Sequence, residues 1–287
     1  SQLSNVTSTT INNNADNRLI TGSGTANTLE GESSLTYSST GDLTQTVTVD
    51  GKGIVLSAGN VKPMITGDSN RSAEGNTILG VSGKWNGTEV ARIAVEAGAD
   101  TSNKDDGTLN FSTTPSGGSL TKRMVIGSDG NITKPTQCSC AVRMSANSSW
   151  PGNHGFDPDT GRLEFDTEVW DIGGNFNTSN YTFTAPVAGR YQMNYVIQFE
   201  SFTGFQWVYM YPVVNDSVSV SNDRGIVFAD FGPGSNNSSD ATYWAYSHSL
   251  VANLQANDAV KFKIRGGVTS ATIKGTTESQ WNIDLLA

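Results

Sequence analysis

The chain has 287 residues, of which only 16% are charged and 36% hydrophobic, and it carries 31 glycines and a net charge of −9. This charge argues against binding to nucleic-acid phosphates, which depends on clustered Lys and Arg, and no apolar run approaches the roughly 20 residues that span a bilayer. The abundant Ser, Thr, Asn and Gly favour turns over helix interiors, so the composition predicts a β-rich extracellular or structural protein.

Residues 1 to about 45 contain few large apolar side chains, and those present recur at intervals, as at Leu3, Ile11 and Leu19. So little apolar area cannot offset the entropy of ordering a monomeric globule. This segment is therefore either disordered or ordered by neighbouring chains. We predict a thin β shaft that also serves for attachment.

Residues 46–135 are predicted to form a central β domain, because short alternating runs lie between clusters of Gly, Asn, Asp and Ser. The segment GTEVARIAVEAGAD (87–100) is interpreted as a strand, although a helical pattern competes with it. The boundary is placed at Lys134-Pro135, since the residue before Pro favours extended backbone. Other predicted strands of the chain lie in QTVTV (45–49), GIVLSAG (53–59), RMVIGSDGNI (123–132) and AVKFKIRG (259–266).

The only cysteines are Cys138 and Cys140, which are two residues apart and so point to one face of a strand. Their number excludes a disulfide scaffold, and a zinc site would need two more soft ligands. Two small buried or half-buried residues are the favoured interpretation. An intermolecular bridge around a symmetry axis is the alternative.

Residues 136–287 hold most of the tryptophans and are predicted to form an independent domain. In YTFTAPVAGRYQMNYVIQF (181–199), the turn at Pro186 and Gly189 is followed by a regular alternation. Tyr191 and Tyr195 share its apolar face, which predicts a half-buried strand with that face inward.

Several segments of this domain resemble, in order, the globular head of the complement first-component q family, a jelly roll shared with the tumour-necrosis-factor cytokines. The resemblance is carried by Ala-Pro-x-x-Gly-x-Tyr in YTFTAPVAGRYQMNYVIQF and by LVANLQANDAVKFKIRGG (250–267), where Ala-Asn-Asp replaces the usual Gly-Asp turn. The other matching segments are LEFDTEVWDIGGNFN (163–177), VVNDSVSVSND (213–223) and SQWNIDLLA (279–287).

The remaining sequence is similar to recurrent segments of bacteriophage tail fibres and adhesins, in INNNADNRLITGSGTANTLEGESSLTY (11–37) and DGTLNFSTTPSGGSLTKRMVIGSDGNI (106–132). Together the resemblances imply an all-β homotrimeric fibre on the virion surface, with a jelly-roll head. They also imply contact with other virion proteins through the N-terminal segment. The implied partner of the head is a host cell-surface glycan or protein.

The predicted strand FQWVYMYPVV (205–214) has apolar residues at both odd and even positions, and so on both of its faces. We therefore expect both faces to be covered, one of them by another subunit. Aromatic residues are common at such contacts. The predicted trimer interface is therefore made of Tyr191, Tyr195, Trp207, Tyr209 and Tyr211.

Exposed aromatics beside Asn and Asp are the candidate receptor contacts, since sugars bind through aromatic faces and such polar groups. On this basis Trp150, Trp170 and Asn175 are predicted to contact the receptor. For each Trp, packing at an end of the sandwich or in the interface is the alternative. The head family sometimes binds calcium, which makes Asp157, Asp159 and Asp223 candidate ligands; no other cofactor is expected.

No catalytic residues are assigned, and we expect the protein not to be an enzyme. Glu164, Asp166 and Glu168 lie at strand spacing and could serve a glycan-cleaving spike, but exposed acids usually only solubilise a surface. The predicted function is host-surface attachment by a phage fibre. A purely structural capsid-decoration or capping role and a glycan-cleaving tailspike are the alternatives.

Overall fold

A computed structural model describes residues 10–12, 18–22, 28–150, 161–203, 207–226, 229–231 and 243–286. The described chain is nearly all β, which confirms the predicted class. It divides into two compact units, Ser1–Thr66 and Gly67–Ala287. Among the described residues, no helix is long and apolar enough to cross a membrane.

The first unit contains a four-stranded sheet in which β3 pairs with each of the other strands. Its strands are β1 (Thr10–Asn12), β2 (Arg18–Gly22), β3 (Thr28–Tyr37) and β4 (Leu43–Gln45). The predicted strands at 45–49 and 53–59 are wrong, because β4 ends at Gln45 and no strand follows before Thr77. Within the described ranges no strand pairs with residues 46–59, and Val55 is 84% exposed.

The second unit begins with a five-stranded antiparallel sheet, the central sheet, in which the strands pair in chain order. The predicted strand at 87–100 is confirmed there, whereas the single strand predicted at 123–132 is divided by a turn into the end of one strand and the start of the next. The strands are β5 (Thr77–Trp85), β6 (Thr88–Ala97), β7 (Gly107–Thr113), β8 (Thr121–Ile126) and β9 (Ile132–Thr133).

The head that follows is a sandwich of two sheets. The front sheet has the order β12–β10–β21–β15–β18, and β20 and β11 extend it beside the far end of β15. Its strands are β10 (Ser139–Arg143), β11 (Ser148–Ser149), β12 (Thr167–Ile172), β15 (Gly189–Thr203), β18 (Tyr243–Leu254), β20 (Ser270–Ile273) and β21 (Gln280–Leu285).

The back sheet has the order β13–β14–β19–β16–β17. Successive strands cross repeatedly between the sheets, from β12 to β13 and β14, back to β15, over to β16 and β17, and back to β18. Antiparallel strands with this alternation form a jelly roll, so the predicted head fold is confirmed. The back-sheet strands are β13 (Phe176–Asn177), β14 (Thr182–Thr184), β16 (Trp207–Val214), β17 (Ala229–Phe231) and β19 (Ala259–Gly267).

The core lies between the two sheets of the head. The prediction that the apolar face of β15 points inward is confirmed. Tyr191 and Tyr195 are buried, as are the apolar residues at alternate positions after them. At the centre is the fully buried Trp281, whose ring lies 5.6 Å from that of Phe262 and 5.9 Å from that of Phe165. Aromatic side chains bury large areas, so packing of this kind makes a major contribution to the core of the head.

A buried carboxylate fixes the turn between β18 and β19. Asp258 accepts hydrogen bonds from Arg224 Nε (2.6 Å), Gln255 N (2.8 Å) and Asn215 Nδ2 (2.8 Å). Arg224 lies just after the only helix of the described chain, α1 (Val218–Asp223), so this one carboxylate joins the helix end to the sheet. Asn257, at φ 68°, completes the turn in the left-handed region that Asn tolerates.

Candidate receptor-binding surface

The outer face of the front sheet is low in charge and rich in amides and hydroxyls. The strand registers place its outward side chains in three rows across five strands. From β12 to β18, the rows are Thr167–Arg143–Gln280–Val196–Ser247, Trp170–Ala141–Asn282–Asn194–Ser249 and Ile172–Ser139–Asp284–Gln192–Val251. Large exposed apolar side chains therefore flank a polar, largely uncharged centre.

Trp170 is the aromatic residue at the β12 edge of this face, and 43% of it is exposed. Its indole Nε1 donates to Ser139 Oγ at 3.0 Å, and that hydroxyl donates to Asp284 Oδ1 at 2.6 Å. The chain of hydrogen bonds satisfies the polar edge of the indole within the protein. The ring is thus held in one orientation with part of its surface open to solvent, as an aromatic platform for a ligand requires.

A shallow cavity of about 620 Å³ lies on the same face towards β18; Asn282 of its lining is two strands from Trp170, which is not itself part of the lining. Its lining is dominated by neutral hydrogen-bonding groups, and Gln280 Nε2 donates to Asn282 Oδ1 at 2.6 Å across its floor. Amides and hydroxyls both donate and accept, which suits a neutral polyhydroxyl ligand. The lining consists of Asn194, Tyr195, Val196, Ser247, His248, Ser249, Thr277, Glu278, Gln280 and Asn282.

Hydrogen bonds favour the charged forms of two carboxylates near this face, Glu278 and Asp166. Hydrogen bonds from the Thr276 hydroxyl and the Thr277 amide lower the pKa of Glu278. Partial burial opposes ionisation of Asp166, but hydrogen bonds from the Ser145 hydroxyl and amide outweigh it and lower the pKa of Asp166. A glycosidase general acid needs a raised pKa, so neither carboxyl suits that role.

The remaining two predicted receptor residues have side chains occupied within the head. Trp150 is half-buried, and its ring lies 6.3 Å from the ring of Phe199 at an end of the core. Asn175 Nδ2 donates to the Ile172 carbonyl at 3.2 Å, inside the turn between β12 and β13. Trp150 thus follows the alternative of packing at a sandwich end.

The prediction of the trimer interface is wrong for three of its five residues. Tyr191 and Tyr195 are buried within one chain, where their hydroxyls donate to the carbonyls of Val187 (2.8 Å) and Met210 (3.0 Å). Tyr211 is also buried within the chain. Side chains without exposed surface cannot form a subunit contact, so these tyrosines are core residues.

Trp207 and Tyr209 remain half-buried on the outer face of the back sheet. The Arg265 guanidinium lies 5.5 Å from the Trp207 ring and 5.2 Å from the Tyr209 ring. A cation held over two rings is a stable surface element. These two residues keep their place as predicted interface residues.

The predicted calcium ligands are not brought together among the described residues. Asp157 and Asp159 lie outside the described ranges, and Asp223 is exposed at the end of α1. The residues that the structure describes contain no group of three or more potential metal-binding side chains. Calcium binding stays a prediction.

Both cysteines are buried, Cys140 on the inner face of β10 and Cys138 just before that strand begins. Burial is the main cause that raises the pKa of Cys138, to about 11, and it also raises the pKa of Cys140. The structure thus supports the interpretation as small core residues, and neither thiol offers surface for an intermolecular bridge.

The sequence predicted Trp170 but not the residues that hold and surround it. Ser139, Asp284 and Asn282 come from strands far apart in the chain, so their meeting depends on sheet register. A signal was present in the alternation of QWNIDL, where Trp281 and Ile283 point inward and the polar residues between them point outward.

No protein-family model and no curated protein matches the chain. Among solved structures, the chain is similar to the globular domain of zebrafish complement 1qA protein, with 14% identity, a TM-score of 0.35 and coverage of 53% of this chain and 98% of that one. It is also similar to Eiger TNF from S. frugiperda (10% identity, TM-score 0.38, 53% and 94% covered). Murine APRIL is a third similar structure (12% identity, TM-score 0.36, 52% and 99% covered).

Proposed function

We propose that the chain is a homotrimeric, non-enzymatic attachment protein of a bacteriophage fibre, and that its jelly-roll head binds a glycan on the host surface. The N-terminal segment would join other virion proteins. The observation that carries the attachment role is the fixed, partly exposed indole of Trp170 on the same sheet face as a cavity lined mainly by neutral amides and hydroxyls.

This surface fits binding better than cleavage. A neutral polyhydroxyl ligand could stack on the indole and exchange hydrogen bonds with Asn282, Asn194 and Ser249 in the same row. The lowered pKa values of Glu278 and Asp166 disfavour proton donation to a glycosidic oxygen. Three such heads on one fibre would turn weak single contacts into useful avidity.

The test is binding of the full chain to an array of bacterial surface polysaccharides, with mass measured in parallel by light scattering. Trp170→Ala should weaken binding about tenfold or more, because truncation of an aromatic anchor costs on the order of 2 kcal/mol. Trp244→Ala, a change of the same size at another exposed position of the head, is the matched control.

If Trp170→Ala lowers the particle mass, Trp170 belongs to a subunit contact and the attachment site is refuted. Unchanged binding by Trp170→Ala at unchanged mass would also refute it. A trimer that binds no host polysaccharide would favour the purely structural role. Release of reducing sugar from the array would favour the tailspike.

A further inference from the structure

The central sheet has one apolar face and one polar face, and the apolar face is the exposed one. The strand registers align Leu79–Val95–Leu109–Ile126–Ile132 in one row and Val81–Ile93–Phe111–Met124 in the next. None of these residues is buried, and Val81 is 65% and Ile93 48% exposed.

The opposite face holds the buried residues of this sheet. Asn110 is fully buried, and Glu96 is nearly so, where its carboxylate accepts a 2.6 Å hydrogen bond from Lys122 Nζ. On the same face, Arg92 forms a bidentate ion pair with Glu89. The usual arrangement of a half-solvated antiparallel sheet, apolar side inward and polar side outward, is thus reversed.

An uncovered apolar sheet face is unstable in water, because a sheet gains its stability by burying that face against another layer. Gly67 lies against Leu79 at one end of this face, but the rest of the face has no cover among the described residues, as the exposed fractions of Val81, Ile93 and Ile132 show. A cover supplied by another molecule would complete the packing of this sheet.

The composition of the face identifies the kind of contact. Its two rows carry no charge, whereas interfaces that form and dissociate are about as polar as ordinary protein surface. A face that apolar is typical of a permanent interface, formed as the chains fold, and permanent soluble assemblies are mostly made of identical copies.

The shape of the face fits such a contact. Gly83 and Ala91 line a shallow hollow of about 350 Å³ together with Val81, Ile93 and Phe111, and Arg92, Ser112 and Thr113 complete its lining. Two residues beyond Gly83 on the same face of β5, Trp85 projects into solvent with 79% of its surface exposed. A projecting ring and a nearby hollow on one surface are complementary between copies.

We propose that the apolar face of the central sheet is covered by the same face of other copies of this chain, with Trp85 as the main side chain inserted. Four strands about 4.8 Å apart and a length of six residues give a face of roughly 20 Å by 20 Å. Three faces together reach about 1,200 Å², the lower end of the range for stable interfaces, while two fall short of it. The assumption of three copies rests on the proposed trimer. The inference that the face is covered by copies of the same chain does not depend on it.

The test uses the full chain with one added cysteine, since Cys138 and Cys140 are buried. Val81→Cys places a thiol on the apolar face, and Ser82→Cys places it on the opposite face of the same strand. With a bismaleimide, Val81→Cys should yield covalently joined copies on a denaturing gel, while Ser82→Cys should yield at least tenfold fewer. A maleimide should also label Val81→Cys much more slowly in the native protein than after unfolding.

Rapid native labelling of Val81→Cys without joined copies would overturn the proposal, since the face would then be open in the purified protein. If that result came with an intact trimer by light scattering, this inference would fail and the trimeric head would survive. Val81→Arg gives a second check, with Ser82→Arg as the matched control. The first change should loosen the assembly or lower its midpoint of dissociation, and the second should leave it unchanged.

Discussion

At the residue scale, Asp258 is the buried polar side chain that fixes the turn between β18 and β19 and ties it to the end of α1. It is only 4% exposed and holds Arg224, Asn215 and the Gln255 amide together. Removal of one partner from a buried ion pair leaves the other charge without compensation. The carboxylate should therefore matter more than its single position in a turn would indicate.

We expect Asp258→Ala to lower the free energy of unfolding by about 3 kcal/mol, because it strands the Arg224 guanidinium and two hydrogen-bond donors. Urea denaturation followed by circular dichroism measures this loss. Asp223→Ala removes an exposed carboxylate close to the same arginine and should change the stability by less than about 0.5 kcal/mol. Equal effects of the two variants would contradict the role given to Asp258.

The same carboxylate predicts a pH dependence. Burial disfavours its charged form, but hydrogen bonds from Arg224, the Gln255 amide and Asn215 outweigh burial and lower the pKa of Asp258. A lowered pKa contributes stability above the unfolded value of about 3.9, and this contribution is lost as the pH falls through the folded value. Unfolding midpoints between pH 7 and pH 3 should therefore fall less steeply for Asp258→Asn than for the native protein.

The cysteines give a second prediction at this scale. Because burial raises the pKa of Cys138 to about 11 and that of Cys140 as well, little thiolate is present at pH 8. A disulfide reagent should react with neither thiol in the folded protein and with both in guanidine. A thiol that reacts within minutes in the native protein would mean that β10 opens locally.

At the element scale, the pairing of β16 with β19 depends on a glycine. A Cβ atom on Gly266 would lie 2.2 Å from the Trp207 carbonyl oxygen and 3.0 Å from Val208 Cα. Both contacts are with backbone of the neighbouring strand, so no side-chain rotation can relieve them. The two strands can approach this closely only because the residue has no side chain.

Gly266→Ala should consequently destabilise the head by about 2–3 kcal/mol, the range for overpacking in a tightly packed interior. Gly80→Ala is the control, because its Cβ would make only ordinary contacts, the nearest at 3.5 Å from Thr77 Cγ2. Thermal unfolding of both variants gives the comparison. A Gly266→Ala head as stable as the native one would mean that the strands separate without cost.

Sequence patterns predicted elements where local alternation and burial coincide. In β15 and β19 the apolar residues face one core, so the period of two is enough. The segment 45–59 shows the same alternation, yet none of the strands that the structure describes pairs with it beyond Gln45, and a pattern cannot show whether a partner exists. In β16 the residues on both faces of the strand are apolar. Tyr211 is nevertheless buried within its own chain rather than against a partner subunit.

The candidate site was predictable only in part. Trp170 was recognisable as an aromatic residue beside Gly, Asn and Asp. The residues that orient it are distant in the sequence, since Ser139 is 31 positions from Trp170 and Asp284 is 145 positions from Ser139. Register between distant strands determines such meetings, and the sequence does not reveal register. The reversal of the central sheet was hidden for the same reason, since alternation shows which face is apolar but not which face is exposed.

At the scale of the whole molecule, the proposed assembly brings together chains that each carry a net charge of −9. Like charges oppose association, so stable contacts should form where charge is lowest. The apolar face of the central sheet meets this condition. Trp207 and Tyr209, with Arg265 above them, offer the head a contact that contains a positive charge.

The full chain should therefore behave in light scattering as a particle of about three times 30.4 kDa. The mass should stay constant on dilution through the micromolar range, as expected for a permanent assembly. Two-fold mass would agree with the covered central sheet but not with the proposed trimer. A particle of 30.4 kDa would contradict both.

The buried Trp281 gives the head a spectroscopic signal of its own. Its indole is ringed by Phe165, Phe176 and Phe262, and its Nε1 has no hydrogen-bond partner among the described residues. An indole shielded from water emits at shorter wavelength than a solvated one such as Trp170. The blue edge of the fluorescence spectrum should therefore follow opening of the head core, and the red edge should respond to ligands that bind at Trp170.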